Sequence, residues 1–520
     1  DHKIVVVHNG IIENYEPLKE KLIKEGHKFQ SETDTEIIVH LIEKFYKQHH
    51  QPLLAVREAI KHLQGSFALG IIFLDRPDCL IGARLNSPLV VGLGKQENFL
   101  ASDVTALLPF TKKVIYLNEN ELVELRRDRI SLYGFSGKIK HRAPSTITWD
   151  ITSAQKEGYP HFMLKEIFEQ PQAVRSTLSY YINRNKLDIE FPTLKPLQKK
   201  LSKIKRIIIV ACGTAWHAGL VGKYALEELA GLPVEVTIAS EFRYGNPVLD
   251  NQTLVLAISQ SGETADTLAA VRQANSHHAL TMAICNVVGS SLTREAKSVI
   301  YTYAGPEISV ASTKAYTSQL TLILLLAIYL GRLRNVLAKP ASRKLISEFL
   351  TVPGKIQRVL KNNNLVKRYA AQYYKAPSFM YIGRRYNFPN AYEGALKLKE
   401  ISYTHAEGYG AGEMKHGPLA LVDETFPTVA IVVKSPVYEK MLSNIQEVKA
   451  RRGIIIAIAT EGDQTITRLS DRIIYIPETP ELFSPILAVI PLQLLAYHIA
   501  VKKGHNVDQP RNLAKSVTVE

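Results

Sequence analysis

Four side chains between Ser259 and Thr264 can donate a hydrogen bond to an anion: Ser259, Gln260, Ser261 and Thr264. An apolar run at 254–258 precedes them and reads as a buried strand. A helical pattern starts directly after them, with Ala265, Leu268, Ala269 and Val271 on one stripe. Unpaired N–H groups and the helix dipole favour negative charge at such a junction, and the hydroxyls add donors. Neither G-x-G-x-x-G nor the eight-residue Walker loop is present here, which points to a monophosphate rather than a nucleotide. A plain serine–threonine N-cap uses the same residue types, but four donors so close together favour phosphate.

Glu393, Lys397 and Glu400 recur at i, i+4 and i+7, which places them on one helix face. An acid beside a base in a cleft is a proton-transfer arrangement, because partial burial brings a carboxylate toward neutral pKa. On spacing alone, a solvated ion-pair face describes them better. His416 stands in a Gly-Pro turn, where it is either an acid–base group near pH 7 or an ordinary turn histidine. Lys515 lies in a tail that is not low-complexity. It is either a frayed terminus or an amine delivered into a sugar pocket to form a Schiff base. Near the front, His8-Asn9-Gly10 reads as the end of a strand, with an Asn9 amide able to donate to an oxyanion. Asp34 or Thr33, with Glu36, reads as a helix cap.

The elements that must hold these groups fall into three regions. Strands and helices alternate over residues 1–143, a connector follows over about 144–165, and longer α/β units run from about 166. These last units repeat. The strand at 206–211, the Cys212-Gly213-Thr214 turn and the helix at 218–229 match 379–382, Gly383-Arg384-Arg385 and 391–401. Glu241 and Glu413 open a second matched pair. Gly213 and Gly383 are 170 positions apart, and Glu241 and Glu413 are 172 apart. So constant an offset predicts two copies of one doubly wound domain. Sites in such sheets lie beyond the strand C-termini, so Cys212-Gly213-Thr214 and the serine-rich loop can converge on one crevice.

The chain has 520 residues, 64 Lys plus Arg against 49 Asp plus Glu, and a formal charge of +15. The basic residues are scattered, so small anionic metabolites fit better than nucleic acid. The three cysteines, Cys79, Cys212 and Cys285, have no metal or disulfide spacing, which predicts a reducing, cytoplasmic setting. The apolar stretches at 320–330 and 482–501 read as core helices rather than membrane spans.

Eight segments together resemble the glucosamine-6-phosphate synthase family: HNGIIENY (8–15), SETDTE (31–36), ACGT (211–214), SQSGETADT (259–267), VASTKAYTSQ (310–319), EGALKLKEISY (393–403), MKHGPLAL (414–421) and DQPRNLAKSVTVE (508–520). The resemblance runs along essentially the whole chain, in order. It implies an N-terminal-nucleophile (α+β) glutaminase domain at 1–150 and a linker at 151–165. Two α/β sugar-isomerase domains would follow at 166–340 and 341–503, then a tail at 504–520 entering the active site.

The resemblance implies fructose 6-phosphate and glutamine as substrates, and neither a metal nor an organic cofactor. Ser259, Gln260, Ser261 and Thr264 would hold the phosphate, and Cys212, Gly213, Thr214, Val310 and Ser312 would line the sugar site. Glu400 would carry the proton between C1 and C2, His416 would open the ring with Lys397 assisting nearby, and Lys515 would form the imine. The family's histidine comes from a neighbouring subunit, which implies a homodimer. Asn9 and Gly10 would serve the oxyanion, and Asp34 the glutamine amino group. The family's nucleophile is an N-terminal cysteine, whereas this chain opens at Asp1. The expectation is therefore a partial glutaminase domain without glutamine hydrolysis. A phosphosugar sensor without chemistry needs the serine-rich loop but not Glu400, His416 or Lys515. A plain phosphosugar isomerase has no use for a glutamine site.

Overall fold

The computed structural model describes residues 3–147 and 156–517, so residues 148–155 of the connector between the first two regions lie outside the described residues. The first region contains β1 (Ile4–Ile12), α1 (Tyr15–Lys24), α2 (Asp34–His49) and α3 (Pro52–Ile60), then β2 (Gly65–Phe73), β3 (Arg76–Leu85), β4 (Val90–Leu93), β5 (Asn98–Ala101), β6 (Lys113–Tyr116), β7 (Glu121–Leu125), β8 (Ile130–Gly134), β9 (Ile139–Lys140) and β10 (Ser145–Thr146). They form two antiparallel sheets, ordered β1-β2-β3-β7-β8-β9 and β10-β6-β4-β5. Ile37, Ile38, Leu41 and Ile42 make the buried stripe of α2, at the helical spacing expected of a helix lying on a sheet.

One expectation for this region is corrected. His8-Asn9-Gly10 does not end β1, which pairs with β2 through Gly10↔Phe67 to Ile12↔Gly65. Gly10 has φ +155, and a Cβ there would fall 2.1 Å from the Ser66 carbonyl oxygen. The glycine therefore continues the strand through a close approach rather than breaking it.

Helix α4 (Phe162–Tyr181) leads through a short hairpin, β11 (Ile182–Asn183) and β12 (Asp188–Ile189), and one turn, α5 (Gln198–Leu201), into the repeated part. Copy one comprises β13 (Arg206–Ala211), α6 (Gly213–Ala230), β14 (Val234–Ile238), α7 (Ala239–Tyr244), β15 (Thr253–Ser259), α8 (Ala265–Ser276), β16 (Leu280–Cys285), α9 (Ser291–Glu295), β17 (Ser298–Tyr301) and α10 (Lys314–Leu333). Helices α11 (Lys339–Leu360) and α12 (Asn363–Tyr373) precede copy two. That copy comprises β18 (Ser378–Gly383), α13 (Phe388–Ser402), β19 (His405–Gly410), β20 (Pro427–Val432), α14 (Tyr438–Lys449), β21 (Ile454–Thr460), β22 (Arg472–Ile476) and α15 (Ser484–Lys502).

The repeat is present in three dimensions. Both sheets are parallel and five-stranded, ordered β14-β13-β15-β16-β17 and β19-β18-β20-β21-β22, which is the same order in each copy. Their central strands, β15 and β20, are buried along their whole length, as sheets covered on both faces require. Helices Lys314–Leu333 and Glu481–Lys502 are long and apolar enough to cross a bilayer, yet both are buried inside the protein. They pack the two sheets into one continuous core.

Candidate functional site

The carboxyl ends of β13 and β15 open onto a cavity of about 340 Å³. Cys212, Gly213, Thr214, Ser259, Gln260, Ser261, Thr264, Val310 and Ser312 all line it, with Lys397, Glu400 and Lys515. Three parts of the chain meet there: copy one, helix α13 of copy two, and the tail.

The 259–264 loop is held by its own hydrogen bonds. Gly262 turns it at φ +69, where a Cβ would meet Ser290 Oγ at 2.1 Å, so glycine is required twice over. The Gly262 amide donates to Ser259 Oγ at 3.0 Å, and the Glu263 amide to Ser261 Oγ at 3.2 Å. Each serine oxygen accepts from the backbone, and Ser259 Oγ also lies 3.4 Å from Thr264 Oγ1. The Ala265 amide, first in α8, donates to the Val517 carbonyl at 3.2 Å, which seats the tail on the helix end. Glu263, the one acid in this loop, points away. Its carboxylate takes the Ser291 amide at 2.8 Å and lies 3.7 Å from the buried Arg84 guanidinium of β3. Burial raises the Glu263 pKa, and Arg84 opposes the rise. The first region thereby braces the phosphate loop from behind.

Helix α13 packs on α6 and carries Glu393, Lys397 and Glu400. The solvated-face reading of Glu393, Lys397 and Glu400 fails: Glu393 and Lys397 are fully buried. Lys397 Nζ lies 2.6 Å from Glu400 Oε2 and 3.4 Å from Glu393 Oε1. Glu393 also accepts from Thr214 Oγ1 at 3.1 Å and pairs with His217 Nδ1 at 2.7 Å. Burial works against the Lys397 charge, but Glu393 and Glu400 outweigh it and raise its pKa. Lys397 is therefore a fixed cation. Glu400, with its side chain 22% exposed, is the most accessible member of the trio, and Lys397 lines the cavity beside it.

The tail is not frayed. Asp508 accepts the Phe162 and Met163 amides at the start of α4, each at 2.9 Å, and its carbonyl takes the Val310 amide at 3.0 Å. Beyond these ties, Lys515 Nζ donates to Glu307 Oε2 and to the Ser309 carbonyl, both at 2.7 Å. Burial pushes the Glu307 pKa up, yet Lys515 and the Thr313 and Ala315 amides pull it below the usual carboxylate range. A second buried acid, Glu166 of α4, accepts from the Ile308 and Ser309 amides and from the Ser309 hydroxyl. Burial first and Glu307 second raise it to about 7. Sequence reasoning passed over Glu166, Glu307 and His217. Each is a single polar residue without a spacing pattern, and the only signal for Glu307 was its closeness to Val310 and Ser312. Burial also raises the Cys212 thiol, so Cys212 contributes shape rather than a nucleophile.

His416 ends a short 3₁₀ turn, Ala411–His416, is exposed, and does not line the cavity of its own chain. Its turn follows β19 as α7 follows β14, so it occupies the place in copy two that Tyr244 holds in copy one. Asn9, Gly10 and Asp34 lie in the first region, away from the sugar cavity. Asp34 accepts the Ile12 amide at 2.8 Å, which ties α2 to the end of β1. The Thr33 side chain makes no cap at α2. Instead Glu36 reaches back to the Gln30 and Ser31 amides, both at 2.7 Å.

The cavity's composition agrees with the likeness to known proteins. A glutamine amidotransferase domain model matches residues 1–109, and a SIS domain model matches residues 200–329 and 372–503. A glutamine–fructose-6-phosphate aminotransferase (isomerizing) of Thermus thermophilus is 51% identical over 521 residues, spanning 100% of this chain and 85% of its own length. The chain belongs to the isomerizing glutamine–fructose-6-phosphate aminotransferase family. Another member, from Methanosarcina acetivorans, is 49% identical over 525 residues, with the same coverage. Among solved structures, the C-terminal domain of glucosamine-fructose-6-phosphate aminotransferase from Francisella tularensis matches at 40% identity and TM-score 0.66. That match covers 68% of this chain and 100% of that one. The aminotransferase family thus accounts for both halves: an amidotransferase domain in front and two SIS domains behind.

Proposed function

We propose that this protein makes glucosamine 6-phosphate from fructose 6-phosphate, with glutamine as the nitrogen source. The observation that carries the reading is one cavity in which a phosphate loop, a helix-borne acid with its buried cation, and a tail lysine converge. The division of labour follows from position. Ser259, Gln260, Ser261 and Thr264 hold the phosphate and orient the far end of the sugar. Cys212, Gly213, Thr214, Val310 and Ser312 shape the walls. As the free amine, Lys515 adds to the C2 carbonyl of the open ketose, and water leaves as the imine forms. Ammonia then adds to C2 and expels the lysine. Glu400 takes a proton from C1, and the C–H electron pair enters the C1–C2 bond. The acid returns a proton to C2 as the C1 hydroxyl becomes the aldehyde. Lys397 holds the Glu400 carboxylate in place through their 2.6 Å ion pair. His416 of a second copy opens the ring, so the working unit is a homodimer.

Asn9, Gly10 and Asp34 belong to the glutamine half, where Asn9 and Gly10 serve the oxyanion and Asp34 the substrate's amino group. Cys79, the one cysteine of this region, is buried in β3, and burial raises its thiol to about 11. Burial therefore keeps this thiol protonated and out of the reaction. The domain division at 1–150, 166–340 and 341–503, with a 151–165 linker and a 504–520 tail, serves this reading. So does a reduced, cytoplasmic setting.

One mixing experiment tests both the acid and the dimer. Alone, Glu400→Gln loses turnover by about 10²–10⁴-fold while sugar-phosphate affinity stays within a few-fold. His416→Ala alone is also impaired. Equal mixing after dissociation and reassociation restores roughly a quarter of wild-type activity, because half the dimers then hold one site with both native groups. Wild-type turnover by Glu400→Gln would remove the acid from the mechanism. Absence of recovery from properly mixed dimers would put His416 in its own subunit's chemistry or outside it.

A further inference from the structure

Outside the sugar cavity, the half-buried cluster between α1 and α2 holds His27, His40 and Glu43 with no task in the proposed reaction. His27 follows the end of α1, while His40 and Glu43 are one turn apart on α2. His27 Nδ1 and His40 Nδ1 are 3.0 Å apart, and Glu43 Oε2 is 3.9 Å from each. A triangle with those sides has a circumradius of about 2.1 Å, which is the bond length zinc makes to imidazole nitrogen and carboxylate oxygen. We propose that His27, His40 and Glu43 form a zinc(II) site that clamps the α1–α2 connection to α2.

The surroundings support this assignment independently of the three ligands. His40 Nε2 lies 3.5 Å from Glu36 Oε1. With that carboxylate placed to accept from Nε2–H, the Nδ1 atom of His40 faces His27 and Glu43. Carboxylate–histidine–zinc relays use this same order. Lys47 Nζ takes the other oxygen of Glu43 at 2.9 Å, which leaves Oε2 facing the two imidazoles. Phe29 packs on the His40 ring at 4.3 Å between centroids and restricts its rotation. Each ligand side chain keeps about 15% of its surface, enough for a water in the fourth position. The 3.0 Å contact between the two Nδ1 atoms is a hydrogen bond in which one imidazole donates to the other, and zinc binding requires both Nδ1 atoms to be unprotonated. The clamp would bear on Asp34, because that residue begins α2.

The test uses the untagged chain titrated with zinc at pH 7.5 against a chromogenic chelator, and with cobalt(II) read by its visible spectrum. One equivalent should bind, with a tetrahedral nitrogen–oxygen cobalt spectrum and a rise in melting temperature. His40→Ala and His27→Gln should abolish the equivalent, and Glu36→Gln should weaken it about 10–100-fold. Inorganic phosphate binding in the sugar cavity should be unchanged in all three, which reports that the fold survives. Failure of the wild-type chain to bind one equivalent overturns the proposal, as does unchanged affinity in both histidine variants. A thiolate charge-transfer band in the cobalt spectrum would place the metal on Cys79, Cys212 or Cys285 and overturn it equally.

Discussion

Replacing Glu307 with glutamine isolates the part of the site that holds the tail lysine. Glu307 Oε1 takes the Thr313 amide at 2.8 Å and the Ala315 amide at 2.9 Å, while Oε2 takes Lys515 Nζ at 2.7 Å. Glutamine keeps the shape but has one acceptor oxygen. Turned toward the amides, it sets an NH₂ against the ammonium; turned the other way, it sets NH₂ against two N–H groups. A hydrogen bond to a charged group contributes about 1.5–3 kcal/mol. The Lys515 side chain is 20% exposed, so water recovers part of that, and about 1.5–2 kcal/mol is the expected loss. At 1.36 kcal/mol per tenfold, docked Lys515 becomes about 10–30-fold rarer. Borohydride trapping of the sugar imine, with the modified lysine located by mass spectrometry, reads this directly. Imine yield at fixed sugar should fall by that factor, while inorganic phosphate affinity should move by less than about threefold. Trapping at the wild-type rate would show that Glu307 does not place the lysine. An equal fall in phosphate affinity would show that the substitution had disturbed the whole crevice.

Two further substitutions probe the frame around the cavity. Gly262→Ala forces a Cβ to within 2.1 Å of Ser290 Oγ and 2.8 Å of Cys285 Sγ at φ +69, so the loop must move. Phosphate affinity should drop at least about tenfold and the melting temperature should fall, both measurable on one sample by titration and thermal melt. Glu166 carries a pKa raised from 4.5 to about 7, so the folded chain holds a proton there that the unfolded chain releases. The unfolded state binds fewer protons across that interval, and stability contributed by this group therefore declines as pH rises from about 4.5 to 7. Glu166→Gln should flatten that part of the denaturation profile. An unchanged slope would mean that Glu166 is ionised throughout.

How much of this was legible in the sequence depended on the range of each interaction. The strand–turn–helix junction at 259–264 was readable because its cause is local: a strand end, a glycine turn and a helix start lie within a dozen residues. The repeat was readable because two copies of one fold keep their spacing. Helix α13 was not, since i, i+4 and i+7 charges describe a solvated face as well as a buried triad. What decides is His217 on α6, which fills the last valence of Glu393 from another part of the chain. Glu166 and Glu307 carried no pattern because a buried acid is defined by what surrounds it. His8-Asn9-Gly10 misled because glycine reads as a breaker, whereas here it lets β1 approach β2. The polar groups that escaped sequence reading are those drawn from the junction of the two copies and the tail. Duplication supplies the reason. Copy one kept the donors that a phosphate needs, and copy two has Lys434, Ser435 and Pro436 in the corresponding loop, with no such donor set. Copy two instead turns its first helix, α13, toward α6, and Glu400 and Lys397 reach the cavity from that side.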